Sequence, residues 1–105
     1  MLKVKNMVSA RIGRVVANQF DIVSDNAGII SEYAFQSYDS LCASLKRTEN
    51  GLYKLTIYRD GFYSRTTAKY LRAWLMDHIK PERVPDVLKA AKEAINAGAD
   101  MWEAE

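Results

Sequence analysis

The 105-residue chain holds a single cysteine, Cys42, and a single histidine, His78. A lone thiol forms no internal disulfide and no cysteine-based metal cage. Cys42 lies in the apolar run LCASL, which suits a small core residue better than a nucleophile, and no spacing ties it to His78 as a dyad. The five glycines are scattered at 13, 28, 51, 61 and 98, so there is no glycine-rich phosphate loop. Asp39 and Asp60 are the nearest approach to a catalytic pair. Without a histidine cluster, two carboxylates suit turn capping better than hydrolysis. No apolar run is long enough to span a bilayer. The start MLKVKNMVSARIGRVV lacks the uninterrupted apolar stretch of a secretory signal. The expectation is a cytoplasmic, non-enzymatic protein with no catalytic residue, no metal, no cofactor and no membrane partner.

What is present is the composition of an ordinary globular chain: 49% hydrophobic and 27% charged residues. The length fits one domain over residues 1–105, with a modest core. The formal net charge of +2 is small, but it is unevenly spread. Residues 1–80 carry 12 Lys+Arg against 7 Asp+Glu, a net +5, and residues 81–105 carry 3 against 6, a net −3. A basic body with an acidic end follows.

Residues 12–23, IGRVVANQFDIV, are rich in β-branched side chains and predict a strand, and SDNAG at 24–28 predicts a turn. In IISEYAFQS, residues 29–37, alternation puts Ile29, Ser31, Tyr33 and Phe35 on one face of a second strand. YDSLCASLKR predicts a third, with Leu41, Ala43 and Leu45 together, and LYKLTIYR a fourth, with Tyr53, Leu55 and Ile57 together. Asn50-Gly51 separates the last two, and both residues tolerate the positive φ of a hairpin turn, so 41–59 predicts a hairpin turning at 49–51. From Ser64 the apolar period becomes helical: Leu71, Trp74, Leu75, His78 and Ile79 form one stripe, with Ser64 as N-cap. Pro81 and Pro85 end that helix near 78 and open another near 84, striped by Val84, Val87, Leu88, Ala91 and Ile95 and closed by Gly98. Lys89, Lys92, Glu93 and Asn96 face out. The prediction is an α+β fold: an antiparallel four-stranded meander over about 1–60, two C-terminal helices over about 64–97 packed on one face, and an acidic tail at 99–105 with Trp102 as its anchor.

The blocks AFQSYDSLCASL and LTIYRDGFYSRTTAKYLRAWL resemble a family of small phage and mobile-element proteins of unknown function. Its members carry F-x-S-Y-D/N-S/T before a strand and Y-S-R/K-T-T-x-K-Y at a helix start. The matching residues are Phe35, Ser37, Tyr38, Asp39 and Ser40, then Tyr63, Ser64, Arg65, Thr66, Thr67, Lys69, Tyr70 and Leu75, within residues 34–75. The helix after Pro81 stands outside the resemblance. A compact α+β fold and a phage or prophage origin are what the resemblance implies; it implies no chemistry.

Arg65, Lys69 and Arg72 share one edge of the first helix, with Arg59 and Tyr63 close by in sequence. These five are the candidate binding residues, for protein or for nucleic acid. One reading is a junction motif, in which Ser64 caps, Tyr63 and Tyr70 pack on the sheet, and Arg65 or Lys69 pairs with Asp39 or Asp60. The functional reading is an anion site of first-turn amides, hydroxyls and cations, with tyrosines beside it to stack bases. In the phage setting the expected role is a small interaction protein that inhibits a host defence complex, such as a CRISPR–Cas effector, by occupying its surface. The partner is then a host protein or ribonucleoprotein. The alternative is a nucleic-acid-binding accessory protein using the basic-aromatic patch.

Overall fold

The computed structural model describes residues 2–8 and 15–104. Six strands form one antiparallel sheet in sequence order: β1 (Leu2–Val8), β2 (Val15–Asn26), β3 (Ile29–Ser37), β4 (Ser40–Arg47), β5 (Tyr53–Tyr58) and β6 (Met101–Ala104). Two helices, α1 (Arg65–His78) and α2 (Val84–Asn96), intervene between β5 and β6 and cover one face. The α+β class, the meander and the helices on one face agree with the sequence. The strand number is six and not four.

Both additional strands are sheet edges whose side chains give a weak burial signal. In β1, Leu2 and Val4 face away from the helices and are exposed, while Lys5 faces the helix side opposite Asp21. The supposed acidic tail is β6, which pairs with β5 through Trp102 opposite Ile57 and Ala104 opposite Leu55. Trp102 packs on the core as the anchor expected of it. Four residues that include Glu103 and are flanked by Asp100 and Glu105 carry little strand propensity, and the backbone ladder with β5 supplies the missing stabilisation.

Several boundaries differ for local reasons. Residues 12–14 of the first predicted strand lie outside the described residues. Its described part runs on to Asn26, leaving Ala27 and Gly28, at φ +54° and +82°, as a two-residue hairpin turn. Tyr38 and Asp39 are a turn and not the start of a strand, since Ser37 pairs with Ser40. A bulge in β4 sets Phe35 opposite Ala43 but Gln36 opposite Leu41, so Cys42 is the extra residue. Leu41 therefore does not share a face with Ala43 and Leu45: it is 41% exposed, whereas Cys42 is fully buried.

The hairpin, the helix stripes and the first helix cap follow the sequence. Gly51, at φ +79°, donates its N–H to the Thr48 carbonyl at 3.0 Å and closes the β4–β5 hairpin. Leu55 and Ile57 join Phe35, Ala43 and Leu45 in one core with Leu71, Trp74 and Leu75 of α1 and Val84, Val87 and Ala91 of α2. Ser64 caps α1, its Oγ accepting the Thr67 N–H at 3.1 Å. A 3-10 turn over Arg59–Phe62 joins β5 to α1. Gly61 in it is closely packed: a Cβ would lie 3.1 Å from Leu71 Cδ2 and 3.3 Å from the Cys42 carbonyl oxygen, so a side chain there would push its neighbours back slightly. That close approach seats the turn against the beginning of β4 and the middle of α1. No helix among the described residues is long and apolar enough to cross a membrane.

Candidate functional site

Two depressions flank the start of α1. The first is a cleft of about 640 Å³ between the β3–β4 turn and the first turn of α1. Ser37, Tyr38, Asp39 and Ser40 line one side, and Asp60, Tyr63, Ser64, Thr66 and Thr67 the other. The two sequence blocks that carry the resemblance thus meet in space, and Asp39 and Asp60 lie in one cleft. Tyr38 holds the left-handed backbone, φ +54°, that a tyrosine rarely adopts. Its N–H donates to the Asn18 carbonyl at 2.7 Å, and the Gln36 side-chain amide donates to the Tyr38 carbonyl at 2.7 Å. Behind it the buried hydroxyls of Ser37 and Thr67 bond at 2.9 Å, and the Ser64 hydroxyl donates to Thr67 Oγ1 at 3.2 Å. These three hydroxyls are tied to one another, and their bonds fasten the turn to the helix.

The second is a groove of about 550 Å³ on the other side, between α1 and α2. Its lips are Arg65, Lys69 and Arg72 on α1 and Lys89 and Lys92 on α2, and its floor is Phe62, Ala68 and Leu88. All five cations are exposed. None has a carboxylate at salt-bridge distance among the described residues. Lys69 lies 5.5 Å from the Tyr70 ring centroid, a cation–π contact. The expected pairing of Arg65 or Lys69 with Asp39 or Asp60 does not occur.

Three of the five candidate binding residues therefore share one groove. Arg59 does not: its guanidinium pairs with Asp100 at 2.6 Å, and its N–H donates to the Asp100 carbonyl, so it fastens the approach to β6. Tyr63 is 84% exposed but lines the cleft, and Tyr70 is 8% exposed in the core. Tyr63 is thus separated from the cations it accompanies in sequence, and Tyr70 meets Lys69 from within the core. Sequence spacing alone puts Lys89 and Lys92 on the solvent face of α2. Their closeness to Leu88, the half-buried edge of the apolar stripe, is the sequence signal that they border the α1 interface.

A cluster that the sequence reading missed lies toward the other end of α1. Asp21, on the helix-facing side of β2, accepts the Trp74 indole N–H at 3.2 Å. His78 Nε2 lies 3.5 Å from the same oxygen, and Lys5 Nζ is 4.0 Å from its partner oxygen. The His78 ring sits against Tyr33 and Trp74, at centroid distances of 4.8 and 4.6 Å. Burial pushes the Asp21 carboxyl up, but the nearby His78 imidazole, the Trp74 N–H and Lys5 together outweigh it and leave the carboxyl below its ordinary value. A carboxylate among the apolar neighbours of FDIV is the clue the sequence offered. Cys42 is not part of this cluster. Its thiol donates weakly to the Ser40 carbonyl, and burial pushes it up to about 11, an inert core thiol.

A family model described as a family of unknown function, DUF8033, matches residues 2–89. The match extends beyond the two blocks to include β1 and the beginning of α2. No curated protein and no solved structure matches the chain. With most of its length covered by that model, the chain belongs to the DUF8033 family of unknown function.

Proposed function

We propose that this is a non-enzymatic interaction protein that binds an acidic surface of a larger partner through the α1–α2 groove. The observation that carries the reading is the set of five exposed cations that line one groove with no carboxylate among them. Arg65 and Lys69 are like charges one helical turn apart, an arrangement that weakens an isolated helix slightly. A fold that needed only solubility would intersperse acids at these positions. An acidic partner surface turns this self-repulsion into attraction.

The resemblance to small phage and mobile-element proteins supports a partner in the cytoplasm of a bacterial host. The role proposed is steric inhibition of a defence complex, such as a CRISPR–Cas effector. Expression of the chain in a host whose CRISPR–Cas system targets a phage should restore plaquing, and a variant with all five groove cations changed to Gln should not. Purified protein should inhibit the effector at a near-stoichiometric ratio, without turnover. Plaquing that is unchanged by the wild-type chain across the host's defence systems would remove this reading. The same cations favour a second reading, nucleic-acid binding, which a mobility-shift assay at moderate salt tests directly.

A further inference from the structure

We infer that the groove receives an acidic amphipathic segment of a partner protein, with apolar side chains on its floor and carboxylates against both lips. The inference rests on the groove being the interaction site and goes on to the partner's chemistry. The lips are helical rows. Arg65, Lys69 and Arg72 recur at spacings of four and three and extend about 10 Å along α1 at the helical rise. Lys89 and Lys92, three apart, face them from α2. Acids at the same spacings on a bound helix form matching rows on either side of an apolar stripe.

The floor discriminates between partner classes. Phe62 and Leu88 pack partly on the core and keep the rest of their surface in the groove. A sugar–phosphate backbone would satisfy the lips but bring nothing apolar to that floor. Single strands are held by successive aromatic faces on which bases stack. Here the floor has one ring, half-buried Phe62, because Tyr70 is in the core and Tyr63 opens onto the other cleft. Charge on the lips and hydrocarbon below them fit a protein segment that carries both.

The test is fluorescence anisotropy of the full chain with four labelled probes. They are a helical peptide with a leucine stripe flanked by glutamates, a scrambled peptide of the same composition, a single-stranded oligonucleotide and its duplex. The amphipathic peptide should bind at least about tenfold more tightly than each of the others, the added margin coming from floor burial. Lys89→Gln with Lys92→Gln, at two exposed positions, should weaken it several-fold in a protein of unchanged circular dichroism. Equal binding of the scrambled peptide, tighter binding of either oligonucleotide, or no binding of any probe overturns the inference. In the first two cases the groove reading survives if Arg65→Gln, Lys69→Gln and Arg72→Gln together abolish the binding seen. If that triple variant binds as the wild type does, the groove reading falls as well.

Discussion

Asp21 couples a strand to a helix through one carboxylate. Its side chain is 16% exposed, and the charge is tolerable there because the Trp74 indole, His78 and Lys5 all approach it. The folded carboxyl titrates below its ordinary 3.8, so on acidification the unfolded chain takes up the proton first. Its contribution to stability is therefore complete above about pH 5 and is lost as the pH falls through the folded value. Asp21→Asn should cost about 1–3 kcal/mol at neutral pH, as loss of a charged hydrogen-bond acceptor does. The difference from wild type should shrink steadily below pH 4 in urea denaturation. A difference that stays constant down to pH 2.5 would mean the carboxylate is not held by these partners. At the opposite end of α1, Ser64→Ala removes both the cap and the hydroxyl that donates to Thr67, and should cost about 1–2 kcal/mol. Of these two residues only Ser64 was legible in sequence, because a serine before a helical period is a local signal. The partners of Asp21 on α1 lie 53 and 57 positions away, where no local pattern reaches.

The hairpin of β4 and β5 and both helices follow from short-range patterns that agree with one another: alternation, Asn-Gly, a cap, two prolines and a period of 3.6. Elements without such agreement were not legible. The bulge at Cys42 shifts the phase of β4 in mid-strand, so alternation placed Leu41 on the face that Cys42 occupies. The edge strand β6 exists because β5 offers a ladder and Trp102 has a place on the core, both consequences of tertiary structure. Trp102→Ala should therefore test whether β6 is an integral part of the sheet. A half-buried indole on the core should contribute about 1–3 kcal/mol, below the range for a fully buried one. Hydrogen exchange should also show faster exchange at the β5 amides that face β6, with the β4-facing amides protected. If stability stays within about 0.5 kcal/mol of wild type, the range of an ordinary surface change, β6 frays freely and the sheet ends at β5.

At the scale of the whole molecule, charge and topology combine. The blocks that resemble phage proteins meet where the β3–β4 turn faces the first turn of α1, yet what they build is a cleft of linked hydroxyls and two carboxylates. The cations of the second block turn to the other side and meet two lysines from α2, a meeting legible only once the helices are packed. Changing Arg65, Lys69 and Arg72 together to Gln should leave stability within about 1 kcal/mol. The cation–π contact of Lys69 is lost, but so is the repulsion among the lips, and exposed cations without partners contribute little to folding. Binding to an acidic partner should fall strongly, and most at low salt, because at high salt screening has already weakened the wild-type attraction. Thermal melts of both proteins, with partner affinity measured at two salt concentrations, check both halves. A folded triple variant with wild-type affinity at both salts would return α1's three cations to an ordinary solvated helix face. The next surface to test would then be the hydroxyl cleft with exposed Tyr38 and Tyr63, where Asp39 and Asp60 favour a cationic partner and predict attraction that weakens with salt.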